Sequence, residues 1–302
     1  MSKIFTVFGA TGSQGGSVIK YILADSTLSK TFKIRGITRD VSKPAAQALI
    51  KQGVEMKAAD LSSKASVTEA LQGSDTVFLV TNYWESVKYD VEFGQGKNVA
   101  DAAKELGVQH LIFSSLLHVT ELTNSRLSQV PHFDAKADIE EYIRKSGVPA
   151  SFYLPGYFMT NFLQMVQKGE DGSLILAYPV GKDAKFPLID VAEDTGKFAK
   201  AIIKNRDQTL GQQILGAENY YTPEQVLAEL EAVTGKKTSF MQLSAEQFKG
   251  FLPSFMADEM LDTHLFIESP GYYNGTELDE SQEILEDKLT TWKDFITNSG
   301  AF

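Results

Sequence analysis

Three glycines at three-residue spacing, Gly9, Gly12 and Gly15, directly follow the first apolar run of the chain, Ile4–Phe8. The run is typical of a buried strand, and Ser17–Ala24 continues a helix that opens at the glycines. In such a unit the first glycine permits a tight turn, the second lets backbone approach a pyrophosphate, and the third lets helix and strand pack closely. The spacing is G-x-x-G-x-x-G and not the common G-x-G-x-x-G, so the strand–turn–helix context carries the prediction. The sequence predicts a dinucleotide site that includes Gly9, Thr11, Gly12, Ser13, Gln14 and Gly15.

Short apolar runs alternate with helical patterns through the first half of the chain. The predicted strands are Ile4–Phe8, Lys33–Thr38, Val54–Ala58, Thr76–Val80, His110–Ser114 and Ser151–Leu154. Helices are expected between them, from about Ser42, near Ala65–Leu71 and near Tyr89–Leu106. Strands of about five residues separated by helices predict right-handed βαβ units, and therefore an α/β fold with a doubly wound, parallel Rossmann sheet.

After about Pro155 the alternation weakens, and the second half predicts a smaller α+β lobe. Thr222–Gln225 and Ser244–Gln247 are capping boxes that begin two helices, and a third helix is expected around Trp292–Thr297. No linker rich in Pro, Gly or Ser separates the halves. We therefore expect domains 1–155 and 156–302 that pack closely and share some strands or helices.

Composition narrows the classes of function. The 302 residues carry 29 basic and 39 acidic side chains, and the net charge of −10 argues against broad nucleic-acid binding. The absence of cysteine excludes disulfides, thiolate zinc sites and iron–sulfur clusters, and four scattered histidines make a metal site unexpected. The uncharged run 147–167 is interrupted by prolines and amides, and the N-terminus has no signal-peptide pattern. We expect a cytoplasmic protein without a membrane span; an additional nuclear location is left open.

The residue after the second strand predicts which dinucleotide is preferred. An NAD site usually has an acidic residue there to bind the ribose hydroxyls, whereas this chain has Arg39 followed by Asp40. A guanidinium suits a 2′-phosphate through paired, charge-assisted hydrogen bonds. Arg39 therefore predicts NADP(H) in preference to NAD(H). The alternative is a surface arginine paired with Asp40.

Residues after the third and fourth strands are further candidates. Asp60 and Leu61 are placed to contact the adenine, although a plain helix cap at Asp60 or Ser62 explains the same segment. Thr81, Asn82 and Tyr83 leave the fourth strand where the nicotinamide half should pass, although Tyr83 is equally suited to packing against the second lobe.

These segments together resemble the NmrA-like family of atypical short-chain dehydrogenases/reductases. The resemblance rests on Gly9–Gly15, Thr38–Asp40, Ala59–Leu61, Thr81–Glu85, His132–Lys136, Leu154–Phe158 and Ile189–Asp194. The T-N-Y-W and H-F-D-x-K stretches are more specific than the glycine loop. The resemblance implies an NADP(H)-binding Rossmann domain with a small C-terminal lobe, and cofactor contacts from Ser114, Pro155, Tyr157 and Phe158.

The resemblance also raises the question of catalysis. Active short-chain dehydrogenases carry Y-x-x-x-K, in which Tyr donates a proton to the substrate and Lys binds the ribose. This chain has His132 and Lys136 at the two positions, so Lys136 is expected to anchor the nicotinamide ribose. A catalytic His132 is left open beside a binding or packing role, because a neighbouring lysine and a helix N-terminus both disfavour its charged form. The resemblance places Ser114 and Ser115 where the family's serine assists a carbonyl, although serine at a strand end is often only a turn former. His118, in the loop that follows, is a candidate to line the pocket.

Two functions follow from the resemblance. The first is a redox-sensing regulator that binds a protein partner, such as a transcription factor, according to the state of its cofactor; without cysteine, only the cofactor can report redox state. The alternative is an NADPH-dependent reductase of a small apolar quinone, enone or carbonyl compound. Its support is the aromatic residues expected near the pocket: Tyr83, Trp84, Phe133, Tyr157, Phe158 and Phe162.

Overall fold

The structure, a computed structural model, describes residues 2–302. Its strands are β1 (Lys3–Val7), β2 (Phe32–Thr38), β3 (Glu55–Ala58), β4 (Ser74–Leu79), β5 (His110–Ser114), β6 (Ala150–Pro155), β7 (Tyr157–Phe158), β8 (Val166–Lys168), β9 (Leu174–Tyr178), β10 (Phe186–Ile189), β11 (Gln213–Gly216), β12 (Asn219–Tyr221) and β13 (Thr238–Gln242). Its α-helices are α1 (Ser13–Ala24), α2 (Leu28–Thr31), α3 (Pro44–Lys51), α4 (Lys64–Leu71), α5 (Tyr89–Glu105), α6 (Val119–Leu122), α7 (Pro131–Ser146), α8 (Phe162–Met165), α9 (Val191–Lys204), α10 (Arg206–Thr209), α11 (Pro223–Thr234), α12 (Ala245–Gly250), α13 (Ser254–Glu268), α14 (Asp279–Gln282) and α15 (Trp292–Ser299). Single 3₁₀ turns occur at Tyr83–Glu85 and Met159–Asn161.

A seven-stranded parallel sheet in the order β11–β6–β5–β4–β1–β2–β3 forms the centre of the molecule. The doubly wound parallel sheet predicted from the sequence is confirmed. The central strands are buried on both faces, as in β5, where all five residues from His110 to Ser114 are buried. Phe5 and Phe198 lie in the apolar cluster on one face, and Val77 and Phe113 lie in the cluster on the other. Because the strands are parallel, the segments that follow them gather at one edge of the sheet.

Residues beyond 155 complete this central layer. Strand β11 pairs in parallel with β6 and forms one edge of the large sheet. Helix α9 packs against α1, and the Gly196 N–H donates to Ser17 Oγ at 2.9 Å. The second half of the chain therefore contributes both a strand and a helix to the Rossmann layer.

The remainder of the second half forms the smaller lobe. Its two three-stranded sheets have the orders β12–β10–β7 and β13–β9–β8. The capping boxes at Thr222 and Ser244 are present as predicted and begin α11 and α12. Helix α15 buries Trp292, whose indole N–H donates to the Val226 carbonyl at 3.0 Å. The short strands of this lobe were not predicted, because they lack the regular alternation with helical patterns that marks the strands of the first half.

Two structural features are absent from residues 2–302. Within that range no helix has the length and apolarity needed to cross a bilayer. In the same residues no group of three or more His, Asp or Glu side chains is arranged to hold a metal ion.

Candidate functional site

A cavity of about 1440 Å³ opens at the edge of the large sheet where the parallel strands end. It brings together most of the residues that the sequence singles out for cofactor binding or catalysis. These are Gly9, Thr11, Gly12, Ser13, Gln14, Gly15, Arg39, Asp60, Leu61, Thr81, Asn82, Tyr83, Ser114, His132, Lys136, Pro155, Tyr157 and Phe158. Their proximity follows from the fold, because each lies at or just beyond the end of a strand or in the first turns of a helix that faces that edge. Their individual roles remain predictions.

The glycine loop forms a cradle that fits a diphosphate. Gly9 has a φ of +62°, a backbone conformation that favours glycine, and a Cβ there would lie 2.7 Å from Val80 Cγ1. A Cβ at Gly15 would lie 2.3 Å from the Gly9 carbonyl oxygen, so loop and helix touch through backbone alone. Gly12 caps α1 without any side-chain hydrogen bond, so no side chain satisfies the first N–H groups of α1. Free N–H groups at a helix N-terminus are what an anionic diphosphate requires.

Arg39 lies at the end of β2, as predicted. Its hydrogen-bond partner is not Asp40, which the alternative interpretation of the sequence had paired with it. Its guanidinium donates to Glu85 in the 3₁₀ turn after β4, not to Asp40. Asp40 instead accepts from the backbone N–H and hydroxyl of Ser42, and the hydroxyl bond is the first cause that lowers its pKa. The Arg39 side chain stays 69% exposed, so it can exchange Glu85 for another anion.

Lys136 is held in a buried network with Thr81 and Glu92. Its ammonium donates to the Glu92 carboxylate, to Thr81 Oγ1 at 2.8 Å and to the Thr81 carbonyl at 3.3 Å. The Thr81 hydroxyl donates in turn to Glu92 Oε1 at 2.6 Å. An ammonium has three N–H donors, and all three have protein partners here. A glutamate therefore pairs with each of the two basic residues predicted to contact the cofactor, Glu85 with Arg39 and Glu92 with Lys136.

His132 lies in the first turn of α7 and on the same side of the helix as Lys136, as the four-residue spacing predicts. Glu259 of α13 accepts a hydrogen bond from the His132 backbone N–H at 3.1 Å and also pairs with the ring Nδ1. Burial, followed by the charge of Glu259, raises the pKa of Tyr83 well above its usual value. The sequence offered Lys136 and the helix N-terminus as the charges near His132. The structure adds a carboxylate from the second lobe, Glu259, which pairs with the ring directly.

The remaining candidates divide between the cavity and other sites. Ser114 lines the cavity and donates to Gln14 Oε1 at 2.8 Å. Ser115 is completely buried and does not line it. His118 does not line it either: it caps α6, and its Nδ1 lies 3.1 Å from Asp134 Oδ1. The two expectations that Ser115 assists a carbonyl and His118 lines the pocket are therefore wrong.

Asp60 lines the cavity and does not cap a helix, which was the alternative role considered for it. Ser63, three residues later, caps α4 by accepting from the Ser66 N–H. Asp60 accepts from the Ser62 N–H at 2.8 Å, which tightens the turn after β3. Asp60 is exposed, so its carboxylate is accessible to a bound ligand.

The cavity extends into the second lobe, where the sequence singled out few residues. We call this end the lobe chamber; it is lined by Tyr157, Phe248, Leu252, Met256, Met260, His264 and Tyr272. Most of these residues come from α12 and α13 and from the segment between them. Phe162, expected near the pocket, instead packs in the core against Trp292 at a ring-centre distance of 5.0 Å. Glu92, Glu259 and His264 were missed as site residues, because each joins the site through contacts far apart in sequence.

The parallel sheet, the diphosphate cradle and the aligned His132 and Lys136 define a Rossmann protein of the short-chain dehydrogenase/reductase type. The model of the NmrA-like family matches residues 1–296, and the chain belongs to that family.

Curated relatives and solved structures agree with this placement. The chain is 33% identical over 261 residues to the NmrA-like family domain-containing oxidoreductase malD of Malbranchea aurantiaca, covering 80% of this chain and 76% of that protein. It is 36% identical over 256 residues to the corresponding oxidoreductase ptmS of Penicillium ochrochloron, covering 79% and 75% of the two chains. The NADPH-dependent quinone oxidoreductase of Escherichia coli, solved with NADPH, is similar with a TM-score of 0.79 and 25% identity, covering 98% and 99%. The negative transcriptional regulator NmrA, solved with NADP, shares the fold with a TM-score of 0.79 at 20% identity, covering 98% and 94%.

Proposed function

We propose that the chain binds NADP(H) and reduces an apolar, conjugated carbonyl compound such as a quinone or an enone. The observation that carries this proposal is the continuity of the cavity from the glycine loop into the lobe chamber. Its volume of about 1440 Å³ exceeds the roughly 300–1,000 Å³ of a site for one small ligand. A dinucleotide on the glycine loop would therefore leave the lobe chamber for a second, apolar molecule. The named activities of the oxidoreductase relatives support the same class of reaction.

The proposal assigns separate tasks to the two halves of the chain. Residues 1–155 supply the cradle, Arg39 and Lys136 and would hold the cofactor. Residues 156–302 supply most of the lobe chamber and would hold the substrate. His132 and Glu259 are bonded across the boundary between them.

Preference for NADP(H) over NAD(H) follows from Arg39 if a 2′-phosphate displaces Glu85. We expect Arg39→Ala to weaken NADPH binding relative to NADH by about tenfold, because a bidentate charged contact is lost. Glu85→Gln should shift the ratio the other way, since it removes both a competitor for Arg39 and a negative charge beside the phosphate. Dissociation constants for both cofactors, measured by fluorescence titration, test this. An unchanged NADPH-to-NADH ratio in Arg39→Ala would exclude the assignment.

When bound, NADPH would supply the hydride, which reduces a conjugated carbon of the substrate. The task left for the protein is to deliver a proton to the carbonyl oxygen. His132 is the candidate donor, because its Nδ1 is fixed by Glu259 while the ring lines the cavity. Lys136 would orient the ribose by exchanging its long 3.3 Å bond to the Thr81 carbonyl for a ribose hydroxyl.

Turnover with a panel of quinones and enones, followed as loss of NADPH absorbance, tests the proposed activity. We expect His132→Gln to lower kcat by about 10²-fold, because it removes the proton donor but not the binding surfaces. His118→Gln is the matched control, because His118 lies outside the cavity, and its kcat should stay within about twofold of wild type. Absence of NADPH oxidation with every quinone and enone would argue against the reductase. Equal kcat values in the two variants would remove His132 from the mechanism.

A second candidate function is the redox-sensing regulator, and one observation favours it. Phe251 and Phe255 are 77% and 63% exposed beside Leu252 and Met256, which line the chamber. Exposed aromatic residues next to a ligand cavity suit a surface that binds a protein partner. A sensor requires this surface to differ between the two cofactor states. Hydrogen exchange of α12 and α13 with NADPH and with NADP⁺ tests the requirement, and identical protection would exclude the sensor.

A further inference from the structure

His264 is a buried polar residue in the lobe chamber. It lies on α13, has no exposed surface, and is surrounded by the rings of Tyr178, Phe248 and Tyr157 at centre distances of 4.7, 5.0 and 6.0 Å. It nevertheless lines the cavity. A buried polar group in apolar surroundings requires hydrogen-bond partners, so the partners of its two ring nitrogens decide what it can offer a ligand.

The protonation of the imidazole follows from its contacts. Nδ1 lies 2.7 Å from the Met260 carbonyl oxygen, and a carbonyl can only accept, so Nδ1 carries a proton. Burial lowers the pKa of His264 to about 4, so the ring is neutral near pH 7. Nε2 therefore carries no proton and can only accept a hydrogen bond.

That acceptor is poorly satisfied within the protein. Its nearest partner is the Tyr157 hydroxyl at 3.4 Å, beyond the usual range of about 2.7–3.2 Å. Tyr157 makes its shorter hydrogen bond, 2.9 Å, with the Tyr178 hydroxyl. A ligand donor that displaces the Tyr157 hydroxyl would give Nε2 a short hydrogen bond in place of this long one.

Three other polar side chains at this end of the cavity, Thr263, Asn161 and Gln164, differ from His264 in how they can accept a hydrogen bond. Thr263 directs its hydroxyl to the Glu259 carbonyl at 2.7 Å. Asn161 is partly exposed and Gln164 is exposed, so water competes for both. The nearby Met256 and Met260 are flexible thioethers that adapt to flat apolar rings. The chamber thus combines an apolar wall with a fixed, desolvated acceptor.

We propose that Nε2 of His264 selects substrates in which an apolar ring carries a hydroxyl or N–H donor. This inference rests on the proposed function in taking the ligand to be a substrate, although the binding preference itself does not require turnover. A site built to accept a hydrogen bond discriminates against an analogue without the donor, because the buried acceptor is then left unpaired. His264 is in this sense a specificity residue and takes no part in the chemical step.

Binding of matched enones to the full chain saturated with NADP⁺ tests the proposal without turnover. The probes are the 3- and 4-hydroxy derivatives of benzylideneacetone and their 3- and 4-fluoro counterparts, which are similar in size but lack the donor. Isothermal titration calorimetry should show at least one hydroxyl compound binding about tenfold more tightly than its fluoro counterpart. Equal affinities within both pairs would overturn the proposal.

Two variants test whether His264 is the residue responsible for the preference for hydroxyl compounds. His264→Phe should bind the hydroxyl compounds no more tightly than their fluoro counterparts, whereas His264→Gln, whose amide oxygen can accept, should retain part of the preference. A preference that persists in His264→Phe would overturn the assignment to His264. If His264→Phe does not fold, the wild-type pairs and His264→Gln still decide the question.

Turnover of the same four enones with NADPH separates this inference from the proposed function. Tighter binding of a hydroxyl compound without any NADPH oxidation would support the His264 preference and contradict the reductase. Reduction of hydroxyl and fluoro compounds with equal affinities would support the reductase and contradict the preference.

Discussion

Gly15→Ala is expected to weaken NADPH binding by at least about tenfold and to destabilise the fold. The added Cβ would lie 2.3 Å from the Gly9 carbonyl oxygen, 2.6 Å from the Gly9 carbonyl carbon and 2.9 Å from the Ala10 nitrogen. These are backbone atoms, so the loop or α1 must move as a unit, at a cost of about 1–3 kcal/mol. Fluorescence titration with NADPH and thermal denaturation measure the two effects.

Gly16→Ala is the matched control in the same helix. A Cβ at Gly16 would meet only the Ala10 carbonyl oxygen at 3.7 Å, an ordinary contact, and Gly16 does not line the cavity. Alanine in a helix is favoured over glycine by about 1 kcal/mol, so this variant should be as stable as wild type or more stable, with unchanged NADPH affinity. If Gly15→Ala binds NADPH as tightly as Gly16→Ala, the cradle does not hold the diphosphate.

Lys136→Ala should lower the free energy of unfolding by about 3–5 kcal/mol, apart from any effect on cofactor binding. The side chain of Glu92 is only 1% exposed, so removal of Lys136 leaves a buried carboxylate without its counter-charge. Glu92 Oε2 has no hydrogen-bond partner even in the intact network, and this increases the free-energy cost of removing Lys136. Urea denaturation of the variant and of wild type gives the difference.

The double variant Lys136→Ala/Glu92→Gln separates charge from packing. A neutral amide at residue 92 can still bond to Thr81 but needs no cation, so the double variant should recover at least half of the lost stability. NADPH affinity should remain low in both variants if Lys136 binds the ribose. Equal stability of the single and double variants would show that the buried charge is not what Lys136 compensates.

Features that depend on local sequence patterns could be predicted from the sequence. The glycine turn, the strands of the large sheet from β1 to β6 and the capping boxes each depend on a few neighbouring residues. The gathering of Arg39, Asp60 and Lys136 around one cavity followed as well, because a parallel sheet brings its strand ends to a common edge.

The polar residues that complete the site, Glu92, Glu259 and His264, could not be predicted from the sequence in the same way. Glu92 lies in the first turn of α5, where an acidic residue is already explained by the helix dipole. Glu259 and His264 lie on α13, which buries residues on several faces and so lacks the two-sided pattern that marks a functional face. Their partners are 44, 127 and 107 positions away along the chain, for Lys136, His132 and Tyr157 respectively. Contacts at such separations depend on tertiary packing, about which a single sequence carries little information.

Because Glu259 and His264 lie on the same helix, α13, natural or engineered changes to that helix affect both residues together. Exchange of α13 between two relatives would transfer the group that orients His132 together with the group proposed to choose the ligand. Alteration of ligand choice through this helix therefore risks disturbing His132, the proposed proton donor, at the same time. A chimera designed for a new substrate should keep Glu259 and vary His264 alone, whereas one that replaces α13 entirely needs a carboxylate at the same turn.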